Sequence, residues 1–226
     1  MQGQRRVLLT GADGTIGAGV LARLMQDGDA VISIGHRDGL ANVIADFTSE
    51  TDLAAAIGRV AGPLHGMVFA HGMLEPGPID AVSPAAWRRT MAVNLDSIYT
   101  MIYHALAHLG RGSSIVVLSS TAAFDHSPVG GPHYTAGKWA LNGLVRHLAF
   151  DLGPRGVRIN SVCPGTVEGP MARALLSSAE YEESLRGIPL GRAAEAAEIA
   201  DVVAFLLGPQ SGYVTGANLP VSGGYR

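Results

Sequence analysis

Thr10-Gly11-Ala12-Asp13-Gly14-Thr15-Ile16-Gly17 follows a short apolar run at residues 7–10 and opens an amphipathic stretch at residues 16–27. Strand, glycine-rich turn and helix in that order make the first half of a βαβ unit. Glycines let the backbone turn tightly and approach a ligand closely, and the free N–H groups at a helix start favour an anion such as a pyrophosphate. A lone glycine-rich string also occurs in plain turns. Its weight here comes from the strand before it and the helix after it.

Working outward, runs at 30–34, 42–45, 66–70, 114–119, 158–163 and 217–221 read as further strands, most of them apolar throughout. Continuous apolar runs suit parallel strands covered on both faces. Stretches 16–27, 49–60, 84–109, 133–152 and 194–207 read as helices, with Ser83 as N-cap and Pro84 at the first helical position. This alternation predicts an α/β fold: a Rossmann-type, doubly wound, seven-stranded parallel sheet with helices on both faces, in a single domain over 1–226. Residues 38–41 are too few for a helix, so the second and third strands are joined directly. Residues 165–191 are long and have a polar helical middle. An insertion after a strand's carboxyl end is where a substrate lid is expected, at about 166–190. An ordinary surface excursion is the plain alternative.

The bulk numbers narrow the function classes. A net charge of −3 offers no electrostatic footprint for nucleic acid. The single cysteine, Cys163, excludes an internal disulfide, fits a reducing compartment and lies in an apolar run. No stretch reaches the about 18 apolar residues of a membrane span, and the run after Arg5-Arg6 is too short for a signal peptide. A cytoplasmic protein without membrane partner is expected, and no metal at its site.

The second strand should end in a carboxylate if the ribose carries a free 2′-hydroxyl. It reads Val31-Ile32-Ser33-Ile34-Gly35-His36-Arg37, with no acid until Asp38. Donors and a cation in place of the carboxylate favour a 2′-phosphate, hence NADP(H) over NAD(H). Asp13 argues the other way, and NAD(H) stays possible.

Fifteen of the sixteen basic residues are arginines; the one lysine, Lys138, stands four residues after Tyr134. On a helix those two share a face. An ammonium beside a phenol favours phenolate, which would lower the phenol's ordinary pKa of about 10 and suit it to acid–base work. Surface neighbours of this spacing are common, so the pair needs support from elsewhere.

That support is a resemblance over essentially the whole chain. Tyr134 and Lys138, Ile115-Val-Val-Leu-Ser119-Ser120, Asn94 in Val93-Asn94-Leu95, Asp46 with Phe47, and Pro164-Gly165 after Asn160-Ser161-Val162-Cys163 stand in this order. Pro189-Leu190-Gly191-Arg192, Glu198-Ile199-Ala200, Val214-Thr215-Gly216 and Ser222-Gly223-Gly224 follow them. Together they resemble the short-chain dehydrogenase/reductase family, most closely its β-ketoacyl-carrier-protein-reductase-like branch. The resemblance implies a catalytic set of Ser120, Tyr134, Lys138 and Asn94, in which Asn94 holds a water of a proton relay. Ser119 stays open as the alternative serine, because side chains alternate along a strand. Implied coenzyme contacts are Gly11, Asp13, Gly14, Thr15, Ile16, Gly17, His36, Arg37, Asp46, Phe47, Ala70, His71, Gly72, Tyr134, Lys138, Pro164, Gly165, Thr166 and Val167.

The departures are specific. The family's loop is TGxxxGxG, and Thr15 replaces its middle glycine; Gly14 gives TGxxGxxG, a spacing of epimerase-like relatives. The usual NNAG reads Phe69-Ala70-His71-Gly72. His71 either hydrogen-bonds in place of the bracing asparagine or approaches the coenzyme. The threonine that contacts the carboxamide reads Gly169, with Thr166 as a possible substitute. Ser222 replaces a common aspartate, which bears on a surface or subunit contact rather than on catalysis.

The implied activity is hydride transfer between nicotinamide and a small, partly apolar ketone or secondary alcohol. Phe124, Val129 and His133 are candidate pocket residues, with Met171, Leu175, Leu176 and Tyr181 as cover. The resemblance also implies a homo-oligomer, dimer or tetramer. Two other readings compete: a non-catalytic NADP-binding redox sensor, and an epimerase- or dehydratase-like enzyme prompted by the loop spacing.

Overall fold

The computed structural model describes residues 4–37, 39–170, 173 and 177–225. Its seven strands are β1 (Arg6–Thr10), β2 (Ala30–Gly35), β3 (Val43–Ile44), β4 (Leu64–Phe69), β5 (Leu109–Leu118), β6 (Arg158–Pro164) and β7 (Asn218–Val221). They pair in the order β3-β2-β1-β4-β5-β6-β7, every pair parallel. The order reverses between β1 and β4, and the crevice above that switch point is where such sheets bind ligands.

Alternation along each strand sends side chains to two separate cores. Leu8 of β1 packs with Leu53, Ile57, Met101, Leu141 and Val145 on one face. Val7 and Leu9 pack with Val20, Leu24, Ile199 and Val203 on the other. The helices behind the first set are α2 (Glu50–Gly58), α4 (Ser97–Ala105) and α5 (Pro132–Leu152). Those behind the second are α1 (Thr15–Gln26) and the helix named here α7 (Ala196–Leu207). Helices on both faces are what the continuous apolar strands required. The second and third strands do join without a helix, Asn42 N–H donating back to Ser33 O at 2.9 Å.

One expected helix divides. Residues 84–109 form α3 (Pro84–Met91), a π segment (Ala92–Asp96) and α4, which ends at Ala105. Asn94 causes the widening: its amide donates to Met73 O and accepts from Met73 N, both at 2.8 Å. The early stop has a tertiary cause too, since Leu109 pairs with Leu64 and opens β5. On the long insertion, α6 (Ser178–Arg186) starts from a capping box of Ser177 and Glu180. Asp38, Met171, Leu175 and Leu176 lie outside the described residues.

Three arginines close helix carboxyl ends. Arg6 donates to Ala61 O after α2, Arg155 to Leu106 O after α4 at 2.6 Å, and Arg158 to Gly208 O after α7 at 3.1 Å. Helix carboxyl ends carry partial negative charge, which a guanidinium with several donors neutralises.

The glycine loop is packed unevenly. A Cβ on Gly17 would fall 1.9 Å from Gly11 O, a backbone atom that cannot step aside, whereas one on Gly14 would meet only Gly11 O at 3.4 Å. Gly17→Ala is therefore expected to lower stability by roughly 1–3 kcal/mol and Gly14→Ala far less. Urea unfolding midpoints of the two variants measure the difference.

Candidate active site

Lys138 lies one turn into α5 from Tyr134, its Nζ 5.7 Å from the centre of the phenol ring. Pro132 opens the helix behind Gly131, and Gly130 lets the chain lie against the ring, since a Cβ there would sit 2.8 Å from Tyr134 Cδ1. Lys138 is 4% exposed and donates from Nζ to Leu118 O at 2.8 Å. Burial brings its pKa down to about 8, so the ammonium is still charged at neutral pH. Tyr134 corrects an expectation. Burial pushes its pKa above the ordinary value, opposed by the Ser120 hydroxyl. The expected lowering by Lys138 has no part in the shift; the cost of taking a phenolate out of water decides its direction, and only the Ser120 hydroxyl opposes it.

Ser119 and Ser120 point to different places. Ser119 is buried with its hydroxyl toward Lys138 O at 3.5 Å. Ser120, in extended backbone, caps the short 3-10 turn Thr121–Ala123 through Ala122 N and is the serine that acts on Tyr134. Asn94 reaches the same spot from the π segment: a Cβ on Gly72 would lie 3.3 Å from Asn94 Oδ1 and 3.8 Å from Lys138 Nζ. Asn94 of the π segment and Lys138 of α5 thus meet beside Gly72, with Tyr134 next to Lys138 and Ser120, two residues past β5, acting on Tyr134. The Asn94 amide spends one donor and one acceptor on Met73.

Next to this group is a cradle that fits a dinucleotide. Gly11 has φ +70°, and a Cβ on it would stand 2.6 Å from His71 N; only glycine lets β1 end so close to the end of β4. The first turn of α1 carries no acidic residue and no side-chain cap, so its N–H groups, at Thr15, Ile16 and Gly17, remain donors for an anion. Asp13 and Arg37 form an ion pair, Arg37 Nε donating to Asp13 Oδ2 at 2.7 Å. Arg37, then His36 more weakly, hold the Asp13 carboxyl below its usual value. Arg37 is thus not a lone cation at the end of β2. Asp46 is exposed and takes Thr48 N–H and hydroxyl on one oxygen, both at 2.8 Å.

Several expected side-chain contacts are relocated. The Phe47 ring is buried and stacks on His71 with centroids 4.1 Å apart, so that ring is core and only its backbone borders the cradle. His71 takes the bracing role: Nδ1 accepts from Thr10 Oγ1 at 2.6 Å and Nε2 donates to Ser97 Oγ at 2.8 Å. Ser97 spends its own proton on Val93 O, which fixes Nε2–H as the neutral tautomer. The ring, unlike Ala70 and Gly72 on either side of it, turns into the core. His133 is 1% exposed and faces Glu75, with Nε2 3.7 Å from Oε2, whereas Phe124 is exposed. Tyr181 is buried, and its hydroxyl donates to Glu168 at 2.5 Å, under the Arg173 guanidinium. Gly165, after Pro164, packs on Ser222, Val167 bridges to Ala194, and Thr166 faces a cavity of about 100 Å³ shared with Arg192 and Glu198.

Thr10, Ser97 and Leu118 O escaped the sequence reading. A threonine, a serine and a backbone carbonyl carry no pattern of their own, and each acquires its role only through a partner distant in the chain.

Known proteins similar to this chain in sequence and fold are dehydrogenases and reductases of one class. Residues 16–226 match the family described as Enoyl-(Acyl carrier protein) reductase. The acetoacetyl-CoA reductase of Allochromatium vinosum is 30% identical, the alignment covering 97% of this chain and 98% of that one. A 2-(S)-hydroxypropyl-CoM dehydrogenase of Xanthobacter autotrophicus is 33% identical over 96% and 95%. Among solved structures, a short chain dehydrogenase family protein of Francisella tularensis superposes with a TM-score of 0.92 at 29% identity, covering 98% of both chains. A blue fluorescent protein from a metagenomic library, in complex with NADPH, gives 0.90 at 29%, covering 98% of this chain and 97% of that one. The chain belongs to the short-chain dehydrogenase/reductase family.

Burial brings the pKa of His71 down to about 3, against about 6.5 unfolded. Between those values the unfolded chain binds the extra proton, so stability falls as pH falls below about 6.5 and continues to fall to about 3. From pH 7 to pH 4.5 this one group should account for roughly 2–3 kcal/mol. His71→Asn should lose less stability over the same interval by about that amount, as read from urea unfolding at the two pH values.

Proposed function

We propose that this chain transfers hydride between NADP(H) and a small, partly apolar ketone or secondary alcohol, with Ser120, Tyr134, Lys138 and Asn94 as its working set. The observation that carries the reading is the buried Lys138 ammonium, held by Leu118 O beside the Tyr134 ring and within reach of Asn94 at Gly72. A charge kept in the interior at that energetic cost points to chemistry rather than to stability.

Bound in the cradle, the nicotinamide supplies or accepts the hydride. Ser120 donates a hydrogen bond to the substrate oxygen, where negative charge grows as hydride arrives. Tyr134 delivers its proton to that oxygen in reduction and withdraws it in oxidation. Lys138, charged at neutral pH, stabilises the phenolate left behind and binds the coenzyme ribose. Asn94 holds the helix open beside Lys138, where it steadies a water on the path to solvent. Gly11, Gly14, Thr15, Ile16 and Gly17 receive the pyrophosphate, Asp46 the adenine, and Pro164, Gly165, Thr166 and Val167 border the nicotinamide.

His36 and Arg37 support NADP(H) over NAD(H), with Arg37 exchanging Asp13 for the 2′-phosphate. Exposed aromatic side chains on α4 and α5, Tyr99, Tyr103, Trp139 and Phe150, support assembly into a dimer or tetramer.

Tyr134→Phe should reduce turnover of a ketone panel by a factor of about 10³ or more while the dissociation constant for NADPH changes less than about threefold. Substantial residual turnover would remove Tyr134 from the mechanism. Arg37→Ala should weaken NADPH at least about tenfold more than NADH. An unchanged ratio of the two dissociation constants, by fluorescence titration, would rule out the coenzyme preference.

A further inference from the structure

Gly169 follows β6 at the root of the long insertion, and Thr15 opens α1. A Cβ placed on Gly169 would lie 2.8 Å from Thr15 Oγ1, 2.9 Å from Thr15 Cγ2 and 3.3 Å from Thr15 Cβ. Turning Thr15 about χ1 exchanges one branch for the other and leaves the Cβ where it is, so rotation does not clear the space. Gly169 is absent from the positive-φ glycines. It is glycine for room, not for backbone conformation. The Thr15 side chain thus fills the volume a side chain at 169 would need, and the two departures from the family pattern, threonine for glycine at 15 and glycine for threonine at 169, face each other across the cleft.

The Thr15 hydroxyl accepts and donates no hydrogen bond among the described residues, and it sits on the uncapped first turn of a 12-residue helix with no acidic residue there. A free hydroxyl beside free N–H groups is a donor set for phosphate oxygen. We infer that Thr15 and Gly169 are a reciprocal pair, and that the Thr15 hydroxyl, occupying the place of the missing side chain at 169, is a coenzyme-positioning group that donates to the pyrophosphate. The inference rests on the reading of the cleft as a nicotinamide-coenzyme site. Thr166, three residues earlier, does not take this place, because it faces the cavity shared with Arg192 and Glu198.

The experiment is a double-mutant cycle with two readouts. Thermal unfolding without ligand tests the pair: Gly169→Thr should lower the midpoint, and adding Thr15→Gly should recover most of the loss. Additive changes would overturn the pairing. Titration with NADPH and with 2′-phospho-ADP-ribose, which has the pyrophosphate but no nicotinamide, tests the contact. Thr15→Val keeps the shape beside Gly169 and removes the hydroxyl, so it should weaken both ligands by a similar factor of about 3–10 with the unfolding midpoint unchanged. Unchanged affinity, or a loss confined to NADPH, would overturn the pyrophosphate contact. If the parent protein binds neither NADPH nor NADH, the coenzyme reading itself fails, and the thermal cycle still decides the pair.

Discussion

A charged amine held out of water governs the arrangement of this protein. Lys138 has one backbone carbonyl, Leu118 O, at 2.8 Å and an aromatic face at 5.7 Å to replace its hydration. A buried ammonium with so few partners is tolerable only where every neighbouring element is held in register around it. A guanidinium would bring five donors in a planar fork into a space that offers one acceptor. Lysine, a compact point charge, suits this single position, while arginines elsewhere serve exposed or half-buried ion pairs and helix ends.

The neighbours are shaped by the same requirement. β5 ends so that Leu118 O meets the ammonium and the next two residues diverge, Ser119 inward and Ser120 toward Tyr134. The helix facing them opens into a π segment, a deviation frequent at functional sites, and Asn94 stabilises it by bonding Met73 on both sides of its amide. Glycine at 72 allows this approach, since a Cβ there would lie 3.3 Å from Asn94 Oδ1. Burial, not charge pairing, then dominates both ionisable groups, raising Tyr134 and lowering Lys138. The two proton affinities are thereby driven apart, the phenol holding its proton more tightly than the ammonium does.

Where the chain departs from its family, the structure offers a local exchange rather than a gap. His71 stands in for the bracing asparagine, tied to Thr10 and Ser97 and stacked on Phe47; the bulk of the imidazole is accommodated because Phe47 provides a flat partner. Arg37 gains Asp13, and Gly169 yields its space to Thr15. Each exchange conserves either the hydrogen bonds or the volume at its site. The 30% level of identity to the relatives therefore coexists with a backbone that superposes closely on solved structures.

The succession of strands and helices along the chain, the parallel sheet, the direct β2–β3 connection and the grouping of Tyr134 with Lys138 were legible in the chain itself. Each depends on local periodicity or on an i, i+4 spacing, and neighbours in sequence determine those. The division of residues 84–109 was not legible, because a π segment and an early strand at Leu109 arise from Met73 and Leu64, dozens of residues away. The choice between Ser119 and Ser120, the inward turn of His71 and His133, the Asp13–Arg37 pair and the raised pKa of Tyr134 belong to the same class. Register, burial and desolvation are properties of the packed chain. A sequence specifies which groups are available; only the fold determines which of them lose water and what they meet instead.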